Sequence, residues 1–231
     1  MRKAIIDLGT NTFNLLIAEI GEQSFEVLHT EKEGVAIGMG GINENTIAPL
    51  SWHRAIKALV HFKKVCKELG VETIRAIGTS ALRSANNAQD FVKEVEFSTG
   101  IKIEIISGLE EATMIYKGVR WSYDFSKEGV IMDIGGGSTE FIWANEDGIT
   151  DALSLDIGVS RMYQTLILSD PLTKEDQSKI EQWLEEKTDG KLENKNCDLL
   201  IGASGTFETF YELHFQKPFS SKIKALKIEK Q

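Results

Sequence analysis

The sequence predicts an α/β protein made of two related halves that meet across a cleft. Three observations carry this reading. First, one strand–loop–strand plan occurs twice, in residues 4–17 around Asp7-Leu8-Gly9 and in residues 130–143 around Asp133-Ile134-Gly135. In both, an apolar run ends in a carboxylate, glycine and small polar residues follow, and a second apolar run begins. Second, segments with strand and helix character alternate along the chain, as in layered α/β folds. Third, each half opens on a hairpin, so antiparallel pairs enter the sheets and make them mixed rather than purely parallel. Duplicated loops on two domains can hold one ligand from both sides.

After the first hairpin, residues 25–35 read as extended, and Gly38, Gly40 and Gly41 mark an irregular link. Trp52, Ile56, Leu59, Phe62, Cys66 and Leu69 recur at steps of three and four, which predicts a helix with one apolar face that stops at Gly70. Residues 73–77 form a short apolar strand before Gly78-Thr79-Ser80. Residues 88–97 are a second helix ending near Gly100, and 101–106 the next strand. Ser107 and Glu110 have the spacing of a capping box, so a helix starts there and runs past Tyr116 towards Val119. Residues 121–127 read as the crossing to the second half. This sets the expected domains at 1–120 and 121–231. Asp147-Gly148 is a hairpin turn leading into 149–157. Helices are expected over 159–168 and 174–186, then a strand over 197–201, the small-residue stretch Gly202-Ala203-Ser204-Gly205-Thr206, and a helix over 207–214. A weaker echo of the duplicated loop stands at residues 153–160.

Gly135, Gly136 and Gly137 in a row are costly in backbone entropy, which predicts positive φ or a close approach that a Cβ would obstruct. Backbone N–H groups turned inward in such a loop make an anion nest, Ser138 and Thr139 add hydroxyls, and Asp133 and Glu140 suit a hard divalent cation. Phosphate with Mg²⁺ is the guest this chemistry favours. Glu110 has its capping role, but Glu111 beside it does not. At a strand-to-helix junction it points either into a ligand crevice or simply along the helix dipole.

Composition narrows the classes. With 42% hydrophobic and 26% charged residues, the 231-residue chain is ordinary for a globular protein. Its net charge of −9 argues against nucleic-acid binding. It also means that a polyanionic substrate needs metal ions and a local basic patch. No apolar stretch reaches membrane-spanning length and no signal-peptide core follows Met1, so the expected location is cytoplasmic, without a membrane partner. Cys66 and Cys197 are too few for a disulfide framework or a Cys-based zinc site. The four histidines show no His-Glu-x-x-His spacing. P-loop and nucleophile-elbow motifs are absent, which leaves water as the nucleophile.

In combination, Ile6-Asp7-Leu8-Gly9-Thr10-Asn11-Thr12, Thr79-Ser80-Ala81-Leu82-Arg83, Ser107-Gly108-Leu109-Glu110-Glu111-Ala112, Asp133-Ile134-Gly135-Gly136-Gly137-Ser138-Thr139-Glu140 and Gly202-Ala203-Ser204-Gly205-Thr206 resemble the exopolyphosphatase and guanosine pentaphosphate phosphohydrolase family, within the actin/Hsp70/sugar-kinase superfamily. The resemblance implies two ribonuclease-H-like domains with an interdomain cleft. There the end of a phosphate chain, inorganic polyphosphate or guanosine pentaphosphate, is hydrolysed with Mg²⁺. It implies Glu111 as catalytic base and Asp7, Asp133 and Glu140 as acidic residues around the metal. Gly9, Thr10, Asn11 and Thr12, with Gly135, Gly136, Gly137 and Ser138, form the phosphate-cradling loops. Gly205 and Thr206 fall in the last matching block, and Arg83 faces the phosphates. It further implies a homodimer.

Departures from the family are specific. Thr10 and Thr12 replace serines, and Ser204 stands where glycine is more common. The family continues past the last block with further helices, so the second domain is expected to be incomplete at its C-terminus. The segment carrying Lys217, Lys222, Lys224, Lys227 and Lys230 is either a guide for an anionic chain or a solvated charge run. The competing function is a binding module that senses polyphosphate or an alarmone without turnover.

Overall fold

The computed structural model describes residues 1–22, 24–195, 197 and 199–220. Lys222, Lys224, Lys227 and Lys230 of the predicted basic segment lie outside them. The described residues form two mixed sheets. The first is built from β1 (Arg2–Leu8), β2 (Phe13–Ile20), β3 (Phe25–Glu33), β4 (Thr73–Gly78) and β5 (Ile103–Ile105), in the order β3-β2-β1-β4-β5. The second contains β6 (Gly129–Ile134), β7 (Thr139–Asn145), β8 (Gly148–Leu155) and β9 (Leu200–Ala203), in the order β8-β7-β6-β9. The plan repeats. Three antiparallel strands form a meander, and the first of them takes a parallel partner on its other side, β4 beside β1 and β9 beside β6.

The expected apolar helix is α1 (Pro49–Glu68), with proline in its first turn and Gly70 in the left-handed conformation just beyond it. A short α2 (Ser80–Ser84) follows β4, and α3 (Ala88–Thr99) ends on left-handed Gly100. Ile6, Leu8, Phe13 and Leu15 of the first hairpin pack under Ala55, Leu59 and Phe62 of α1 and Phe91 and Val95 of α3. Helix α4 (Gly108–Arg120) starts on the predicted capping box: Ser107 N–H donates to Glu110 Oε2 at 2.8 Å, and Glu110 N–H to Ser107 Oγ at 3.2 Å.

Helix α4, which the sequence reading places in the first half, packs against the second sheet. Ala112 and Tyr116 of α4 lie in one cluster with Phe125, Ile131, Ile142 and Ala144, so this helix covers the second sheet and the chain changes sheets at Ser107. Sequence alone hides this, because α4 follows β5 without a break. The other face of the second sheet is covered by α5 (Val159–Thr165) and α6 (Lys174–Thr188), through Leu155, Ile157 and Trp183. Helix α7 (Ser204–Phe215) begins three residues earlier than its sequence pattern suggests, inside the small-residue stretch.

The halves are riveted by α5. Buried Arg161 donates from Nε to Gly137 O (3.1 Å), from Nη1 to Ile42 O (3.0 Å) and from Nη2 to Ser84 Oγ (3.2 Å), so one guanidinium joins both domains. Arg161→Met strands those buried acceptors. We expect it to lower stability by about 3 kcal/mol, read as a reduced urea midpoint.

Candidate active site

The two glycine turns close in the same way. Gly9 N–H donates to Thr12 O at 3.1 Å and Gly135 N–H to Ser138 O at 3.0 Å. The strand registers match as well: Asp7 pairs with Asn14 across β1 and β2, and Asp133 with Glu140 across β6 and β7. The duplication is therefore structural, and Asn14 occupies in the first half the place Glu140 has in the second.

The loops face each other across a cavity of about 320 Å³. It is lined by Asp7, Gly9, Thr10, Asn11, Thr12, Glu111, Asp133, Gly135, Gly136, Gly137, Ser138, Gly205 and Thr206. Of the residues expected at the site, Arg83 and Glu140 do not line it. Arg83 donates from Nη1 to Glu111 Oε2 at 2.9 Å and to Ile106 O at 3.2 Å, so here it holds the carboxylate rather than facing the cavity. Glu140 is buried behind the wall, accepting from Ser154 Oγ at 2.7 Å. A larger hollow of about 480 Å³ beside α6, between Leu172 and Glu181, holds none of the motif residues.

Of the two reasons the sequence offers for the glycines, the structure shows the close approach and not the positive φ. None of Gly9, Gly135, Gly136 and Gly137 has a positive φ. A Cβ on Gly136 would sit 2.8 Å from the Asn11 carboxamide carbon, and one on Gly137 2.6 Å from both Ser80 Oγ and Thr10 Oγ1. The missing side chains let the two loops close on each other. The weak echo at 153–160 completes the seam. Val159 N–H donates to Gly135 O (3.0 Å), Ser160 N–H to Gly136 O (2.8 Å), and Ser160 Oγ bonds Asn11 Oδ1. The carbonyls of Gly135 and Gly136 are thereby engaged by the start of α5.

The Ppx/GppA phosphatase family model matches residues 16–230. The chain belongs to this family. An exopolyphosphatase from Cytophaga hutchinsonii is 32% identical with a TM-score of 0.89, over 96% of this chain and 73% of that one. An Aquifex aeolicus PPX-GPPA enzyme is 28% identical with a TM-score of 0.75, over 96% of this chain and 74% of that one. A bifunctional 3-dehydroquinate synthase/phosphatase of Fusobacterium nucleatum is 33% identical over 220 residues, or 90% of this chain. The chain spans 33% of that relative's length. Membership accounts for the two-domain architecture. Among the described residues, no helix is long and apolar enough to cross a membrane.

In this Ppx/GppA chain the cleft gathers carboxyl groups whose protons are held too tightly for ordinary surface acids. Burial raises Asp7, against the hydrogen bond from Asn14 Nδ2 (3.1 Å), and raises Asp133, against one from Ser204. Burial also raises Glu111, against the Arg83 ion pair. Glu140 is pushed up to about 7 by burial and then by the Glu111 charge. Several carboxyl groups in one poorly solvated place suit a hard divalent cation, which offsets both burial and mutual repulsion. Among the described residues, Asp7, Asp133 and Glu140 do not bring three carboxylate oxygens within 4.8 Å of one another.

Glu140 makes the pH dependence testable. Its unfolded value is near 4.5 and its folded value about 7, so its contribution to stability is full below about pH 4.5 and lost as pH rises through about 7. Without divalent cations, the protein should be less stable at about pH 8 than at about pH 5, by on the order of 3 kcal/mol from this group. Glu140→Gln, which keeps an acceptor for Ser154, should flatten the slope in denaturation curves taken across that range.

Sequence pattern does not single out every residue of the site. Asn14, Thr79, Ser80 and Ser204 also line the cavity. The signal for Asn14 lies in the duplicated register, which makes it the partner of Asp7. Among the described residues, buried Ser80 Oγ has no hydrogen-bond partner, an orphan hydroxyl that an anion in the cleft would satisfy. Ser204 adopts φ 67°, the left-handed region that favours glycine, which agrees with the glycine the family resemblance leads one to expect there.

Proposed function

We propose that this chain hydrolyses terminal phosphoanhydride bonds of inorganic polyphosphate, or of the 5′-triphosphate of guanosine pentaphosphate, with Glu111 directing the attacking water. The observation that carries this reading is the position of Glu111. It lines the same cleft as both phosphate-type loops, and Arg83 holds it from behind. A carboxylate placed beside donor-rich loops, with no serine or cysteine nucleophile motif, fits water attack on a bound phosphate.

In this reading, amides and hydroxyls of residues 9–12 and 135–138 bind the terminal phosphate oxygens from two sides, and Ser80 and Thr206 add hydroxyls at the strand ends. The water oxygen bonds to the terminal phosphorus, its proton passes to Glu111, and the bridging P–O bond breaks. Inorganic phosphate leaves together with a chain one phosphate shorter. Asp7 and Asp133, with Glu140 behind them, would hold Mg²⁺, which supplies charge neutralisation at the phosphate oxygens when bound. The exopolyphosphatase name of the Cytophaga hutchinsonii relative supports polyphosphate as the first substrate to assay.

The test is phosphate release from long-chain polyphosphate and from guanosine pentaphosphate, with Mg²⁺ and with EDTA. The expected result is release that depends on Mg²⁺ and stops in EDTA. Tight binding of either compound with no release under any metal condition would overturn hydrolysis in favour of a sensing role.

A further inference from the structure

The outer edge of the first sheet carries polar side chains that the cleft does not use. His29, Glu31 and Glu33 of edge strand β3 pair in register with Ile17, Leu15 and Phe13 of β2, all three of them buried in the core under α1. Directly opposed residues of an antiparallel pair point to the same face, so these three side chains line up along the α1 side of the sheet. His61 of α1 meets them there. Its Nε2 lies 2.7 Å from Glu31 Oε1, while His29 Nε2 lies 3.1 Å from Glu31 Oε2. A carboxylate oxygen of Glu31, one of Glu33 and a ring nitrogen of His61 all fall within 4.8 Å of one another.

We propose that Glu31, Glu33 and His61 form a second metal site, for a zinc-class divalent ion, that clamps the edge strand β3 to helix α1. The donor set points to that ion. Two carboxylates and an imidazole from two different elements are ligand types that zinc accepts, and water would complete a four-coordinate site. Imidazole selects borderline transition ions over Mg²⁺, whereas the all-oxygen cleft selects the reverse, so the two sites differ in hardness. The Glu31 and His61 side chains are 24% and 46% exposed, which leaves them room to turn towards a shared ion. His29 is a positioning residue: its hydrogen bond holds the Glu31 carboxylate from the side away from His61.

The experiment is a zinc titration of the full chain by calorimetry in excess Mg²⁺, repeated with Co²⁺ to read the visible bands of a four-coordinate site. The parent and Asp133→Asn should each bind one equivalent. His61→Gln and Glu31→Gln should bind at least about tenfold more weakly and lose the cobalt bands. Zinc should raise the melting temperature of the parent and not that of His61→Gln. His61 is on an exposed helix face, so its variant is expected to fold, and circular dichroism verifies this. The proposal is overturned if zinc fails to bind above the Mg²⁺ background, if binding is indifferent to His61→Gln, or if Asp133→Asn abolishes it.

Discussion

Glu111→Gln should slow phosphate release about 10³-fold while polyphosphate binds as tightly as before, because the amide fills the same space but cannot take a proton. Its oxygen still accepts from Arg83, and Arg83 keeps its second anchor on Ile106 O, so the local structure should survive. The pH profile gives an independent check. Burial holds the Glu111 carboxyl above its ordinary value of 4.5, so the rate of the parent should fall with decreasing pH earlier than an exposed glutamate would allow. Arg83 works against that rise. Arg83→Met should therefore move the falling limb to higher pH. Steady-state release, paired with a binding titration, separates these effects from lost affinity. A Glu111→Gln variant as fast as the parent would remove the base assignment.

Gly158→Ala should damage both the fold and the rate, although it adds a single methyl group outside the catalytic carboxylate. A Cβ there would lie 2.4 Å from Gly136 C and from Gly137 N, and 2.5 Å from Gly136 O, all backbone atoms with nowhere to move. The second phosphate loop must shift, and the bonds from Val159 and Ser160 to its carbonyls lengthen or break. Overpacking of this kind costs about 1–3 kcal/mol, and a misplaced loop about 10²-fold in rate. Gly118 is the control. It is an exposed position in α4 where an added methyl would meet nothing within 4 Å, so Gly118→Ala should raise stability by up to about 1 kcal/mol and leave activity unchanged. Denaturant midpoints and phosphate release on both variants check the pair.

The legible parts of this protein are those written in local pattern. The Asp-x-Gly duplication, the three- and four-residue spacing of α1 and the Ser107–Glu110 cap all depend on residues close in sequence, and each appears where its pattern places it. What the sequence hides depends on partners far along the chain. Gly136 and Gly137 face Asn11, Thr10 and Ser80, and although the pattern offers a close approach, no local rule shows that the approaching group comes from the other domain. The family resemblance implies that Arg83 faces the phosphates, but its side chain pairs with Glu111. The attachment of α4 to the second sheet rests on Ala112 and Tyr116 meeting Ile131 and Ile142, residues on either side of the crossing. Arg161 lies in a helix whose local pattern says nothing of Ile42 or Ser84, yet it joins the domains that form the cleft.

The most direct test of water attack in this cleft is a rapid-quench first turnover of polyphosphate in ¹⁸O-labelled water with Mg²⁺. Each phosphate released in that turnover should carry one solvent oxygen, no phosphorylated protein should accumulate, and Glu111→Gln should release no labelled phosphate on the same timescale. Phosphate trapped on the protein, or released without solvent oxygen, would contradict direct attack by water.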